Sequence, residues 1–241
     1  KRGRIQIIVP NEELVNSIYN TNINALFSNI DYIRRQTKDY VVIAPSCMVF
    51  AQNYDELLQE HVKSGADITL LYHKVSNADV AYLNTEALKL DDEKTVLGIE
   101  TNIGGKKTKN IFMNSYIMKK DLFLQLIHEA KKKSSMYNLF NIVNDKAASE
   151  ELTIKGVQHE GFFAAITDFK SYFNANLTLT DIKTASSLFN DQWPIYTRTN
   201  DACPTQYVEG ASVKKSLISN GSIIAGTVEN CIIGRGVTIE P

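Results

Sequence analysis

Apolar residues recur along the first part of the chain at alternating strand and helix periods. Ile5-Gln6-Ile7-Ile8-Val9 is a short apolar run closed by Pro10 and predicts a strand. Ile23, Leu26, Phe27, Ile30 and Ile33 fall at helical spacing and predict one amphipathic helix over 22–36. Tyr40-Val41-Val42-Ile43-Ala44 reads as a buried parallel strand ending in a turn at Pro45-Ser46-Cys47. Asn53 can cap a helix running to Ser64, with Leu57, Leu58, His61 and Val62 as its inner face and Gly65 as its stop. Ala66 to Val75 is rich in β-branched and aromatic residues and predicts another strand. This alternation signals an α/β fold, a parallel sheet with covering helices, in which ligands collect outside the carboxyl ends of the strands.

After Asn77 the pattern loosens. Thr95–Glu100 and Ile111–Met118 read as strands around a Gly104-Gly105-Lys106-Lys107 loop. Asp121–Lys133 predicts a helix whose basic end, Lys131-Lys132-Lys133, suits a helix C-terminus. A helix over 138–149, one or two strands within 152–166 and a helix over 168–177 follow.

Near Asn190 the organisation changes. Pro194, Pro204 and short polar stretches mark a linker over 190–207. Beyond it, Ala211-Ser212-Val213-Lys214-Lys215-Ser216-Leu217-Ile218 aligns with Gly226-Thr227-Val228-Glu229-Asn230-Cys231-Ile232-Ile233 at an offset of fifteen residues, and Ile224 and Ile239 continue the register. Short aliphatic runs between Gly or Asn turns suit the coils of a parallel β-helix. The expected organisation is an α/β domain over 1–189, the linker, and coils over 208–241.

Composition narrows the function classes. The 241 residues are 44% hydrophobic and 22% charged, which argues against disorder. A net charge of −1 argues against nucleic acid as the main partner. No apolar run is long enough to span a bilayer, and no membrane partner is expected. Cys47, Cys203 and Cys231 stand without CxxC pairing, which fits a reducing, cytoplasmic setting. The first residue, Lys1, and the stop at Pro241 inside a repeat read as an internal segment of a longer protein.

Local motifs offer little chemistry. His61, His73, His128 and His159 show no metal-ligand spacing and read as structural or surface residues. Gly104-Gly105-Lys106-Lys107-Thr108-Lys109 lacks the full phosphate-loop spacing and reads as an exposed hairpin loop, with a role beside an anionic effector kept open. Cys47 has no neighbouring His or Lys to activate it and reads as a small cleft or core residue.

Three stretches carry a family likeness. Ile30-Asp31-Tyr32-Ile33-Arg34-Arg35 leads into Tyr40-Val41-Val42-Ile43 and Gln52-Asn53-Tyr54, Tyr172 to Leu177 follows, and Trp193-Pro194-Ile195-Tyr196-Thr197 comes last. In this order they resemble bacterial glucose-1-phosphate adenylyltransferases, including the closing helix of the catalytic domain and the linker into a left-handed β-helix. The resemblance implies a Rossmann-like, GT-A-like nucleotidyltransferase domain followed by the start of a left-handed parallel β-helix. It also places the family's Gly-rich triphosphate loop before Lys1.

The departures from the family are concentrated at its ligand-contacting positions. Nucleotidyl transfer needs a metal to neutralise the triphosphate. The family's two metal-binding aspartates correspond to Cys47 and to Ala165, within Phe163-Ala164-Ala165-Ile166-Thr167. A thiol and a methyl supply no hard oxygen ligand. The family's Gly-Thr-Ala turn aligns with Thr21-Asn22-Ile23, its sugar-phosphate Glu-Lys pair with Thr101-Asn102, and its Asp-Phe-Gly motif with Tyr137-Asn138-Leu139.

The pattern resembles the D-type regulatory branch of bacterial ADP-glucose synthesis. What the resemblance implies is a non-catalytic or weakly active regulatory subunit in glycogen synthesis, without cofactor of its own. Its partner is a homologous catalytic adenylyltransferase subunit that carries Mg²⁺, within a homo- or hetero-tetramer. A sugar-phosphate or nucleotide effector site is a further expectation. Three alternatives stand beside this reading: an active sugar-1-phosphate nucleotidyltransferase that recruits Asp31, Asp39 or Glu100 as metal ligands, an acyltransferase of the β-helix type, and an effector-binding protein without chemistry.

Overall fold

The computed structural model of the chain describes residues 7–9, 21–191, 193–196 and 200–241. Its strands are β1 (Tyr40–Ile43), β2 (Met48–Val49), β3 (Ile68–Val75), β4 (Glu86–Leu90), β5 (Val96–Thr101), β6 (Lys109–Lys119), β7 (Ile154–Gln158) and β8 (Ala164–Ala165), then seven short strands described with the repeat. The helices are α1 (Asn22–Ser28), α2 (Ile30–Arg34), α3 (Tyr54–Ser64), α4 (Lys120–Lys133), α5 (Leu139–Ala148), α6 (Phe169–Thr178) and α7 (Ile182–Leu188). They fall into two compact units, Lys1–Pro45 with Tyr54–His159, and Ser46–Asn53 with Glu160–Pro241.

The first unit is built on β6. One edge of β6 pairs antiparallel with β3 along its length, from Ile68↔Met118 to Val75↔Lys109. Its other edge is shared: β1 takes the C-terminal half, from Tyr40↔Lys119 to Ile43↔Tyr116, and β4 meets it at Ala87↔Ile111. β5 pairs antiparallel with β4, and β7 pairs parallel with β3. The expectation of a parallel sheet is therefore corrected to a mixed one. β1 and β3 do run in the same direction, since both are antiparallel to β6, as a strand–helix–strand unit requires. β6 lies between them, and the antiparallel β4–β5 pair is closed by a short turn, which antiparallel pairing permits and parallel pairing does not.

β1 also departs from its reading as a buried parallel strand. It is antiparallel and half-buried, with Val42 exposed, because β6 is its one partner among the described residues. The helix expected over 22–36 breaks at Asn29, whose amide donates to Ala25 O and Ser28 Oγ and whose backbone leaves the helical region. β4 and α7 were not anticipated. The Gly104 loop joins β5 to β6, which are separated by β4, so it is no hairpin. The strand expected over 5–9 lies partly outside the described residues, and 7–9 form no regular element.

α4 and α5 cover one sheet face. Phe123, Leu126, Ile127, Leu139, Ile142 and Val143 pack on Ile68, Leu70, Tyr72, Phe112 and Met118, all buried. Fully burying each such side chain stabilises the fold by about 1.5–3 kcal/mol. Thr69 alternates with Ile68 and Leu70, so α3, whose His61 Nδ1 lies 2.8 Å from Thr69 Oγ1, covers the opposite face. Leu57 and His61 of α3 are buried, but Val62, expected on the inner face, is exposed. Asn144 of α5 accepts from the edge-strand amide of Ile99 at 2.6 Å, satisfying a donor that an unpaired edge would leave open. At the far side Thr95 bridges Lys155, and the sheet is tightly packed at Gly156, where a Cβ would meet Leu90 Cδ2 at 3.0 Å and Tyr72 at 3.2 Å.

The second unit pairs β2 with β8 and carries α6, α7 and the repeat. The repeat's strands are β9 (Gln206–Tyr207), β10 (Ser212–Lys214), β11 (Leu217–Ile218), β12 (Ile223–Ile224), β13 (Thr227–Glu229), β14 (Ile232–Ile233) and β15 (Thr238–Ile239). They form three small parallel sheets, with Val213↔Val228, Leu217↔Ile232 and Ile224↔Ile239 as partners, each fifteen residues apart, while β9, inside the stretch expected as linker, joins β12 with Ile224↔Tyr207, seventeen residues apart. The offset of the sequence repeat is thus the register of the strands. Ile224 and Val228 are buried. Lys215 and Asn230, equivalent in the repeat, both turn the chain with positive φ, 43° and 53°. No helix among the described residues is long and apolar enough to cross a membrane.

Candidate functional site

Cys47 and Ala165 come together although 118 positions separate them in the sequence. β2 and β8 are antiparallel, with Met48↔Ala165 and Val49↔Ala164 as partners, and the Ile166 amide donates to Cys47 O at 2.8 Å. Position 47 is therefore one register step from position 165. A small apolar cluster holds the pair: Phe162, Ala164 and Leu188 are buried, with Val49, Ala51, Ile166, Ala175 and Leu179 against them. Phe50 and Phe163 add a tilted ring contact at 6.5 Å. Short strands of two residues need such flanking support, because two ladder positions alone do not order a chain.

The donor set does not fit a hard divalent cation. The Cys47 thiol is exposed, the Ala165 methyl is buried, and neither offers the oxygen that Mg²⁺ takes. Among the described residues no group of three or more His, Cys, Asp or Glu side chains could hold a metal. The nearest carboxylate along the chain, Asp168, is committed to capping α6. It accepts from Ser171 N at 2.6 Å, and this backbone bond holds its carboxyl below the usual range.

The carboxylates weighed as substitute ligands are placed in the first unit, and two of them are engaged there by lysine or arginine. Asp31 pairs with Arg34 at 2.8 Å, and Glu100 lies between Lys89 and Lys109. Asp39 belongs to the turn before β1, where its carbonyl accepts from the Lys120 amide at 2.7 Å.

The remaining positions flagged from the sequence lie in the first unit, where they stabilise local structure. Thr21 caps α1, accepting from Asn24 N at 3.3 Å. Asn22 and Asn138 cap each other's helices: Leu139 N donates to Asn22 Oδ1 at 2.8 Å, and Asn22 N donates to Asn138 Oδ1 at 3.2 Å. The Thr21-Asn22 and Tyr137-Asn138 segments, drawn from two separate sequence motifs, are thus neighbours in space. Tyr137 donates its hydroxyl to Asp145 at 3.2 Å.

Asn102 is fully buried. Its amide donates to Ala78 O and Tyr82 O at 2.9 Å, and its Oδ1 accepts from Gly104 N at 3.2 Å. The residue is spent on clamping the 77–85 loop to the end of β5.

One polar feature was missed from the sequence. The β3–β6 ladder slips between Leu71 and Tyr72, leaving Met113 and Asn114 unpaired in β6. Asn114 takes a positive φ of 47° and its amide donates to Glu86 at 3.1 Å. Bulges of this kind re-aim side chains in a sheet. The available signal was Asn114-Ser115 interrupting the apolar run Ile111 to Met118.

Comparison with known proteins places these observations. No protein-family model matches the chain. It is 26% identical to a glucose-1-phosphate adenylyltransferase of Lachnospira eligens over a 244-residue alignment covering 99% of this chain and 56% of that protein. It is likewise 26% identical to the enzyme of that name from Halalkalibacterium halodurans, covering 99% of this chain and 62% of that protein. It is 28% identical to the glycogen biosynthesis protein GlgD of Bacillus subtilis, covering 88% of this chain and 50% of that protein. These proteins are homologues over nearly the whole chain, and the resemblance read from the sequence holds. The chain spans about half to three-fifths of the length of the relatives it matches. The mixed α/β unit with its central sheet fits a nucleotidyltransferase domain.

Proposed function

We propose that this chain serves glycogen biosynthesis as a non-catalytic or weakly active regulatory subunit of glucose-1-phosphate adenylyltransferase. The observation that carries the reading is the pairing of β2 with β8. It brings together the two positions where the homologous enzymes are expected to hold their metal, and here they carry a thiol and a methyl. Losing a metal clamp removes several kcal/mol of transition-state stabilisation. The Mg²⁺ then belongs to a homologous catalytic subunit, the partner in a cytoplasmic tetramer, and a sugar phosphate or nucleotide acts as effector.

In this reading residues 1–189 are the nucleotidyltransferase-like domain, 190–207 the linker and 208–241 the first coils of a left-handed β-helix. The parallel register of fifteen residues supports the coil assignment.

The test is an assay of the purified full-length protein with glucose 1-phosphate, ATP and Mg²⁺, alone and mixed with a catalytic homologue. The expected outcome is negligible turnover alone and raised turnover in the mixture. Turnover alone at the level of the homologue would mean an active transferase with an altered metal site. The variant Cys47→Asp with Ala165→Asp is expected to gain saturable Mn²⁺ binding by paramagnetic line broadening, while the parent chain shows none. Failure of the double variant to bind, with its fold intact, would refute the geometric premise.

A further inference from the structure

Three strands bring a net positive cluster to one face of the first unit's sheet. Glu100 on β5 accepts from Lys109 on β6 at 2.9 Å, and its other oxygen lies 3.0 Å from Lys89 Nζ on β4. One carboxylate therefore serves two ammonium groups. The two lysines hold the Glu100 carboxyl below its usual range, Lys109 contributing most, and two cationic side chains share this one acidic partner. The Lys109 side chain is 10% exposed, that of Glu100 38% and that of Lys89 61%, so the cluster opens to solvent on the Lys89 side.

An ammonium has three donors, and the hydrogen bond drawn from Lys109 among the described residues goes to Glu100. A largely buried cation that shares its counter-ion is under-compensated, and a second anion would relieve it. The segment that leads into Lys109 raises the potential further. Gly104 and Gly105 turn the chain at φ of 85° and 87°, and Lys106 and Lys107 follow, both exposed.

We propose that Lys109 and Lys89 bind a phosphate oxyanion, free or as a monoester, with Glu100 as the internal anion that the ligand joins. Lysine meets phosphate as a point charge, and the two lysines already converge on the two oxygens of one carboxylate, at 3.0 Å and 2.9 Å. The site concerns charge placement within the first unit. It does not rest on the regulatory reading and holds in an active or an inactive chain.

Lysine-selective NMR of the full chain, titrated at constant ionic strength with inorganic phosphate, glucose 1-phosphate and ATP, tests the site. The expected result is a saturable shift of the Lys109 signal, with the tightest of the three arms identifying a free ion, a sugar ester or a nucleotide. Lys109→Gln is expected to weaken binding about tenfold or more, since a charge-assisted contact is lost. Glu100→Gln keeps both cations and removes the competing charge, so it is expected to tighten binding several-fold. Flat titrations of both the parent chain and Glu100→Gln overturn the proposal, as does unchanged affinity in Lys109→Gln. If Lys109→Gln does not fold, the Glu100→Gln titration decides alone.

Discussion

Asn102 illustrates how a single side chain can look functional in a sequence and be structural in the fold. The family likeness assigned it a ligand-contacting position, and a lone Asn beside Thr101 gives no hint of burial. In the fold its amide is the shared partner of three loop carbonyls, Ala78, Ala81 and Tyr82, and of Gly104 N. Asn102→Ala leaves those buried groups without partners and is expected to cost about 2–4 kcal/mol, read as a lower urea midpoint. Asn102→Lys, the family's residue, is expected to cost more, because an ammonium would be buried with no counter-ion. A midpoint unchanged in both would show that the loop is held by other means. His61 offers a second residue-scale test. Burial lowers its pKa, with Lys119 acting in the same direction and Asp67 opposing. A histidine kept neutral in the fold takes up a proton more readily when unfolded. Its stabilising contribution is therefore complete above the unfolded value of about 6.5 and is lost as pH falls through that value toward the folded one. Urea midpoints are expected to fall between pH 7.5 and 5.5, and the fall is expected to be smaller in His61→Gln. Equal falls in the two proteins would assign the pH dependence elsewhere.

Elements were legible where local chemistry and burial agreed. α3, α5 and α6 begin or end close to their expected bounds because Gly65, Asn138 and Asp168 act through the neighbouring backbone alone. Strand direction was not legible. The sequence of β1 carries no mark of the strand it will meet, and β6 reaches it from 73 to 79 residues further on, Tyr116 against Ile43 and Lys119 against Tyr40. α7 escaped notice because only Leu188 of its ends is buried, while Ile182 is exposed, so no apolar period survives. The repeat was legible to the residue, since parallel stacking makes the sequence offset and the strand register the same quantity. That equivalence yields a prediction at Lys215. It occupies the turn position that Asn230 fills in the next repeat, at φ of 43°, where a side chain larger than Asn gains nothing and pays steric strain. Lys215→Gly is expected to raise stability by up to about 1 kcal/mol, and Lys215→Asn by less. A lower thermal midpoint in Lys215→Gly would mean that the lysine makes a compensating contact.

At the scale of the whole molecule the apolar core, among the described residues, is unevenly divided between the two units. In the first, eighteen buried residues form one cluster spanning β3, β6, α4 and α5. In the second, the cluster beside β2 and β8 has three buried members, and α6 buries none of its residues. Phe169, Tyr172 and Phe173 lie at i, i+3 and i+4 on α6 and are all exposed, so this helix gains little from burial. Local opening free energies follow such differences, because a segment with few buried contacts can unfold without disrupting the rest. Native-state hydrogen exchange is therefore expected to rank the chain. Amides of β3 and β6 should exchange only through global unfolding, with protection that falls in step with added denaturant. Amides of α6 and α7 should exchange through local openings, faster by about a hundredfold or more and almost independent of low denaturant. The same ranking bears on the candidate site, since β8 leads directly into α6. If α6 proved as protected as β6, the second unit would have to be stabilised by surfaces outside the described residues, and its exposed aromatic face would be covered in the protein as isolated. Repeating the exchange after adding a catalytic homologue separates the two cases: protection gained only on mixing would locate a contact with that homologue on α6, and protection present beforehand would assign the cover to the isolated protein itself.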